Sequence, residues 1–236
     1  MKFEHLPGRK YIAGFDTFIR HRIVASLAYK FNPRTILDVG GEGMLKLFLP
    51  QIQITTANVK SADISYSGDK LPLNDNSFDL AVSLDTIEHL PKNKRKNFLL
   101  ELHRVSKKGF ILCTPFGTPE HSDYEKRILA SGKIAGDSHA YLAEHVEYGL
   151  PASAEVSEMA RQFSAQVFYQ GDFREVQRKN GKMMSYFGLF VQTIRNILID
   201  MFWHEDKFLT INYAQYTNRF FLIAGKRNNG SLPEIV

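Results

Sequence analysis

Cysteine is almost absent from the chain, with Cys113 alone among 236 residues. A single thiol excludes an internal disulfide and any metal site of the C-x-x-C type. Because disulfides persist mainly in oxidising compartments, this scarcity suits a reducing cytoplasm, and we predict a cytoplasmic protein. Cys113 lies in the apolar run FILCT, which indicates a buried and chemically inert thiol.

A strong charge of one sign is also lacking. The 30 Lys and Arg residues exceed the 25 Asp and Glu residues by only 5. This excess could steer an anionic substrate, but it is too small to indicate nucleic-acid binding. The first residues, MKFEHLPGRKYIAGF, carry neither the apolar stretch nor the small-residue cleavage site of a signal peptide, so we expect no secretion.

No apolar run is long enough to span a bilayer. The most apolar segment, from Met183 to Trp203, is interrupted by the polar side chains Gln192, Arg195, Asn196 and Asp200. Its apolar residues recur at helical spacing and predict an amphipathic helix. We favour a helix packed on a sheet or over an active site. The alternative is a face of residues 183–203 that makes peripheral contact with a membrane or a lipid-linked substrate.

Alternating strand and helix patterns are present instead, and they predict one α/β domain over residues 1–236. The predicted strands cover 35–39, 52–59, 79–84, 110–114, 165–169 and a final NRFFLIAGKR run; the predicted helices cover 18–31, 91–109, 152–163 and 183–203. Strands that alternate with helices favour a parallel sheet covered on both faces.

The predicted domain divides into four parts. A helical segment, 1–34, precedes a cofactor-binding core, 35–114. Apolar periodicity then fades in the polar segment 115–150, which we interpret as a lid over the acceptor side because long segments without a periodic pattern are often functional. Helices and closing strands occupy 151–236.

The end of the first predicted strand carries an aspartate and three glycines, in TILDVGGEGM. Glycines let backbone approach a ligand closely, whereas Asp38 would repel a pyrophosphate and suits a ligand with an amino group. Neither G-x-G-x-x-G nor a P-loop is present, which weighs against a dinucleotide dehydrogenase and a P-loop nucleotidase.

This pattern, a strand followed by Asp-x-Gly-Gly, resembles the first motif of class I methyltransferases that use S-adenosylmethionine, in particular that of the type 11 methyltransferases. The stretch SGDKLPLNDNSFDLAVSLDTIEHLP resembles a stretch that comes later in the sequences of the same family. The resemblance implies a Rossmann-like sheet of seven mostly parallel strands, with an antiparallel last strand, helices on both faces and S-adenosyl-L-methionine as cofactor.

The same resemblance implies which residues bind the cofactor. They are Asp38, Gly40, Gly41 and Gly43 near the methionine part, Asn58 at the ribose, Gly68 and Asp69 near the adenine, and Leu84 and Asp85 at the exit of the later strand. Asn58 stands where the family usually has Asp or Glu. A neutral acceptor forms a weaker hydrogen bond than a charged one, and Asp63 is the nearby alternative.

The acceptor side is expected to contain histidines, because a hydroxyl acceptor must lose a proton and histidine is the usual base near neutral pH. We predict His89 and His145 as catalytic residues, and His121 and Glu144 as substrate-binding residues. Structural roles for these side chains, such as loop support or helix capping, remain open. No cluster has zinc-ligand spacing, so no metal is predicted.

The segment YLAEHVEYGLP resembles a narrower subgroup of methyltransferases in bacterial glycan synthesis. The leading hypothesis is therefore methyl transfer to a small-molecule or glycan hydroxyl. The alternatives are a nucleic-acid or protein methyltransferase and a catalytically inactive regulator that binds S-adenosylmethionine. Nucleic acid is not an expected partner, because no dense basic or aromatic stripe is present.

Overall fold

A single sheet with helices on both faces forms the computed structural model, which describes residues 8–59, 61–66, 70–180 and 186–226. The strands are β1 (Thr35–Val39), β2 (Gln53–Asn58), β3 (Ile64–Ser65), β4 (Leu80–Leu84), β5 (Gly109–Pro115), β6 (Gln166–Asp172) and β7 (Thr217–Gly225). The helices are α1 (Phe15–Lys30), α2 (Lys92–Val105), α3 (Pro119–Ala130), α4 (Asp137–Tyr148), α5 (Ser153–Phe163), α6 (Phe173–Asn180) and α7 (Tyr186–Met201). Short 3₁₀ helices span Arg9–Ile12, Met44–Leu47, Ile87–His89 and Glu205–Lys207.

The seven strands follow the order β3-β2-β1-β4-β5-β7-β6. Neighbours are parallel except where β7 pairs antiparallel with β5 and β6. The predicted Rossmann-like sheet with an antiparallel last strand is confirmed. Strand order reverses between β1 and β4, and the crevice beyond the carboxyl ends of such strands is where open α/β sheets bind ligands.

Two hydrophobic clusters cover the two faces of the sheet. Successive residues of β1 point to opposite faces of the sheet. Ile36 packs in the cluster that contains α1, and Leu37 packs in the cluster that contains α2. Burial on both faces explains why β4 and β5 are apolar runs without polar alternation. Cys113 is fully buried in β5, and burial raises the pKa of its thiol to about 12, in agreement with an inert thiol.

The segment 115–150, for which no regular element is predicted from sequence, contains helices α3 and α4. Thr118 caps α3 by accepting a hydrogen bond from the His121 amide, and Pro119 occupies the first turn. Helix α4 has no fully buried residue. It contacts the Ile87–His89 turn through the Glu144 carboxylate and through the rings of Tyr141 and His145, and these contacts leave no buried apolar stripe for the sequence to show. The lid function and the four-part division of the domain stay predictions.

Helix α7 forms as predicted, but its apolar residues are not the ones it buries. Gln192 and Asn196 are its buried residues, and they donate hydrogen bonds to the carbonyls of Ala13 and residues beside it. Phe187 and Phe190 are 75% and 61% exposed. Half-buried Ile199 also packs against the hydrophobic cluster that contains α1. The favoured place on a sheet or over an active site stays a prediction, as does the peripheral contact; residues 181–185 lie outside the described residues. Among the described helices, none has the length and apolarity to cross a bilayer.

Candidate active site

The turn after β1 contains two glycines, Gly40 and Gly41, that no other residue could replace without displacing neighbouring atoms. The Gly40 amide donates to the Ala57 carbonyl at 2.7 Å, which ties the turn to β2. Gly40 has a φ of +84°, and a Cβ there would lie 2.0 Å from Thr86 Oγ1. A Cβ on Gly41 would lie 2.0 Å from Asp38 Oδ2. Gly43, with a φ of +87°, begins the short helix that follows. The turn thus packs closely against Thr86 and against the Asp38 carboxylate.

Asp38 is buried at this turn without a full set of partners. Asp38 is 2% exposed, and its Oδ1 has no hydrogen-bond partner among the described residues. Burial raises the pKa of Asp38 to about 7, although Lys46 opposes the shift. A buried acceptor that lacks a donor is costly in the unliganded chain. A ligand that presents an amino group would supply the missing donor.

Asn58 supports the turn in this structure. Its Nδ2 donates to the Gly40 carbonyl at 2.8 Å, and its Oδ1 accepts from the Val59 amide at 2.7 Å. The alternative Asp63 accepts from the amide and the hydroxyl of Thr56. The ribose role of Asn58 stays a prediction. Gly68 and Asp69 lie outside the described residues.

Gly40→Ala is expected to destabilise the protein more than Gly132→Ala does. Both glycines have positive φ, so each substitution incurs a strain of about 1–2 kcal/mol. Only Gly40 also meets a neighbour, Thr86, whereas nothing lies within 4 Å of a Cβ at Gly132. We expect overpacking to add roughly 1–3 kcal/mol to the loss of unfolding free energy at Gly40. Urea denaturation measures both, and equal losses would contradict the close contact.

The exit of β4 places Leu84 and Asp85 beside this turn, with Asp85 in a network of arginines. Asp85 Oδ1 accepts from Arg219 Nη1 at 2.6 Å, and Asp85 Oδ2 lies 2.9 Å from Arg20 Nε. Arg219 also donates to Asp16 at 2.6 Å. Although burial alone would raise it, the charges of Arg20 and Arg219 lower the pKa of Asp85 to about 2. Asp85 is therefore a fixed anion in the wall of the site.

Arg219 is a site residue that the sequence analysis missed. It is 4% exposed and stands near the start of β7, directly before the apolar residues 220–224. An arginine next to an apolar strand run is itself a signal, because buried cations need carboxylate partners. Its partners, however, lie 134 and 203 positions away in the chain.

Two predicted catalytic histidines, His89 and His145, lie together beyond β4, with ring centroids 4.7 Å apart. His89 Nδ1 lies 2.8 Å from Glu144 Oε2, and His145 Nδ1 lies 3.0 Å from Glu125 Oε1. Burial and His145 lower the pKa of His89. Although burial opposes it, the hydrogen bond to Glu125 raises the pKa of His145.

Glu88 joins this pair and was not predicted. It is 0% exposed, and its Oε2 accepts from the Thr114 hydroxyl at 2.7 Å. Burial and the charge of Asp85 raise the pKa of Glu88 to about 7. A glutamate in DTIEHLP gives no sequence signal of burial, since only the docking of α4 encloses it.

His121 has partners within the fold. Its Nδ1 lies 3.0 Å from the Phe116 carbonyl, and its ring stacks on Phe173 with centroids 4.5 Å apart. It is 6% exposed. These contacts give it a structural role, and its predicted contact with substrate stays a prediction.

A cleft of about 650 Å³ opens between α3, α4 and the start of α2. His145 and Glu125 line it together with Lys92 and Lys126. The cleft therefore brings solvent space and charged side chains to His145. It offers room for a polar small molecule.

Comparison with known proteins gives a family match and several similar folds. Residues 43–114 match a family model for a methyltransferase domain, and no curated protein matches. The plantazolicin methyltransferase BpumL, in complex with a triazolic desmethylPZN analog and SAH, has a TM-score of 0.54 at 12% identity, over 89% of this chain and 84% of BpumL. The [4+2]-cyclase SpnF has a TM-score of 0.50 at 16% identity, over 91% of this chain and 83% of SpnF.

A larger protein matches over part of its length. Phosphoethanolamine N-methyltransferase 2 of Haemonchus contortus is 14% identical, with a TM-score of 0.46, over 85% of this chain. This chain spans 51% of the Haemonchus protein, or about half of its length. At such identities the likeness is one of fold.

Proposed function

We propose that this chain, which carries a class I S-adenosylmethionine-dependent methyltransferase domain, binds S-adenosylmethionine at the end of β1 and transfers its methyl group to a small-molecule acceptor. When bound, this cofactor supplies a methyl group already activated on a sulfonium. The residues of the chain then have to bind the cofactor, hold the acceptor in line with the methyl group and receive the acceptor's proton.

The observation that carries the proposal is the unpartnered oxygen of buried Asp38 beside the glycine turn. The methionine part of S-adenosylmethionine has an ammonium that would donate to this oxygen. Gly40 and Gly41 let the backbone of the turn pass in close contact with Thr86 and with the Asp38 carboxylate, because a Cβ at either position would collide with these side chains. A dinucleotide would instead bring phosphate against a carboxylate. The residues present therefore suit the cofactor that the family uses.

Asp85 and Leu84 would form the neighbouring wall of the cofactor site. Asp85 Oδ1 accepts a hydrogen bond from Arg219 and Asp85 Oδ2 is ion-paired with Arg20, so Asp85 has little capacity left for ligand donors. We propose that it is a positioning residue that holds the exit of β4 in place. Gly43, Asn58, Gly68 and Asp69 complete the proposed set.

The acceptor side is proposed to be the cleft beside His89 and His145, and the reaction to be O-methylation of a small molecule or a glycan. Lys92 and Lys126 line this cleft together with Glu125 and Glu147, and such a polar lining of both signs favours a hydroxyl-rich acceptor. Glu144 holds His89, and Glu125 holds His145, so both rings are oriented before an acceptor arrives. His89 and His145 would position the acceptor, with His121 and Glu144 nearby.

His145→Ala is expected to lower turnover by about 100-fold or more while leaving S-adenosylmethionine affinity unchanged, because removing a positioned group from the reacting centre typically has effects of this size. Release of S-adenosylhomocysteine with hydroxylated small molecules and glycans as acceptors measures turnover, and calorimetry measures affinity. His139→Ala, an exposed change on the same helix, is the control. Unchanged turnover in His145→Ala would refute the acceptor-side assignment. A wild-type chain that binds S-adenosylmethionine but methylates none of these acceptors would point to the inactive regulator.

A further inference from the structure

Three side chains beyond β4 bring ligand atoms together in a way that the proposed reaction does not explain. Glu88, His89 and His145 each offer one such atom, and the three atoms lie within 4.8 Å of one another. From this geometry we propose that the three residues form a binding site for a divalent transition-metal ion of the zinc type. Two imidazoles and one carboxylate are a ligand set that zinc uses at open, three-residue protein sites.

The first support is that two of the three residues keep an unsatisfied atom inside the protein. Glu88 Oε1 and His145 Nε2 are buried and have no hydrogen-bond partner among the described residues. Glu88 is 0% exposed, so water does not reach this oxygen from the surface. Orphaned buried acceptors are rare because each one costs free energy. A cation between them would satisfy both atoms at once.

The second support is the carboxylate behind each imidazole. His89 Nδ1 lies 2.8 Å from Glu144, and His145 Nδ1 lies 3.0 Å from Glu125. In each pair the ring N–H at Nδ1 donates to the carboxylate, which leaves Nε2 with a free lone pair. Metal-binding histidines almost always show this carboxylate–histidine arrangement, since it fixes the ring and makes the ligand nitrogen more basic.

Glu88 is held in a comparable way. Its Oε2 accepts from the Thr114 hydroxyl at 2.7 Å, so the carboxyl group is anchored to β5 through one oxygen while the other remains available. His89 is adjacent to Glu88 in the short 3₁₀ helix, and α4 brings His145 to them. The site is therefore assembled from two elements, and each of its three ligand residues has a partner behind it.

Binding would require a small closure of the cluster. Metal bonds of about 2.0–2.1 Å in a tetrahedron place ligand atoms roughly 3.3 Å apart, against the 4.8 Å limit seen between these atoms. Imidazole and carboxylate suit Zn²⁺, Co²⁺ and Fe²⁺ better than Ca²⁺ or Mg²⁺, which prefer oxygen ligands.

Three protein ligands leave one position of a tetrahedral ion open. His145 lines the cleft of about 650 Å³, although its Nε2 is buried, and the open position would be filled by a water or an acceptor oxygen admitted from this cleft on binding. Only this last role rests on the proposed function. Metal binding itself does not require S-adenosylmethionine.

The test is a titration of Co²⁺ into metal-free full-length chain without a histidine tag and without S-adenosylmethionine, followed by visible absorption. We expect one ion per chain with the strong absorption of tetrahedral cobalt. Glu88→Gln, which keeps the shape and the bond to Thr114, should weaken binding by about 100-fold or more, and Glu125→Gln by about 10- to 100-fold. His139→Ala should bind as the wild type does.

The outcomes separate the two proposals. Absence of cobalt binding by the wild type would overturn the metal site, as would an unchanged affinity in both Glu88→Gln and Glu125→Gln. Zn²⁺ should also raise the melting temperature of the wild type and not that of Glu88→Gln, because a ligand stabilises a folded protein only if it binds to that folded state. A chain that binds Co²⁺ through these residues but never binds S-adenosylmethionine would keep the metal site and refute the methyltransferase proposal.

Discussion

Asp38→Asn is expected to weaken S-adenosylmethionine binding by about tenfold or more and, at the same time, to stabilise the unliganded protein. Asparagine keeps the shape of the side chain but loses the charge that the cofactor's ammonium would pair with, and hydrogen bonds to charged groups contribute about 1.5–3 kcal/mol. Asp38→Ala removes the acceptor altogether and should abolish measurable binding.

The gain in stability follows from burial of the carboxylate. Burial raises the pKa of Asp38 from its ordinary value of 3.8 to about 7. A difference of this size corresponds to on the order of 4 kcal/mol between the protonation states. Between about pH 4 and pH 7, Asp38 in the folded chain holds a proton that it has already released in the unfolded chain. The free energy of unfolding therefore falls as the pH rises through this window. Asparagine removes that dependence.

Cofactor binding should show the opposite trend, since the ammonium prefers the ionised carboxylate. We expect the affinity of the wild type to increase from about pH 5 to pH 7, and that of Asp38→Asn to stay flat. Calorimetry at several pH values and urea denaturation measure the two effects. Asp75→Asn, which changes an exposed carboxylate paired with Arg104, is the matched control. The same pH slopes in wild type and Asp38→Asn would show that Asp38 does not titrate in this range.

Arg219→Met is expected to lower the free energy of unfolding by about 3–5 kcal/mol, the loss that follows when one partner of a buried ion pair is removed. Methionine fills much of the volume but leaves Asp16 and Asp85 without their shared cation. Arg20 would still pair with both carboxylates, which keeps the loss below that of two isolated buried charges.

The control for Arg219 is Arg161→Ala. Arg161 pairs with Glu158 on the surface of α5, and its side chain is 77% exposed. Exposed pairs contribute about 0–1 kcal/mol, so this change should be nearly neutral. If Arg219→Met costs no more than Arg161→Ala in chemical denaturation, the network at the exit of β4 is not structural.

Local patterns were enough to predict most strands of the sheet, although not β3, whereas the cofactor residues came from resemblance and stay predictions. The strand over Thr35–Val39 was predicted with the bounds that the structure has, because an apolar β-branched run ends at glycine. The direction of the last strand came from resemblance, since an apolar run alone does not state whether it pairs parallel or antiparallel. Helices α3 and α4 were missed because polar contacts between side chains replace an apolar stripe there.

The acceptor side depended on contacts that spacing does not reveal. Glu88 and His145 are separated by a strand and two helices, so no zinc-like spacing relates them. Arg219 meets Asp85 across 134 positions. His89 and His145 were singled out by residue type, yet the carboxylate behind each ring became visible only when α4 was placed against the Ile87–His89 turn.

The central claim is that the end of β1 binds S-adenosylmethionine, and calorimetric titration of the wild-type chain with this compound tests it most directly. One molecule should bind per chain with an affinity clearly tighter than millimolar, and the binding should be lost in Asp38→Ala. No heat of binding at millimolar S-adenosylmethionine, or near-normal affinity in a folded Asp38→Ala variant, would contradict it.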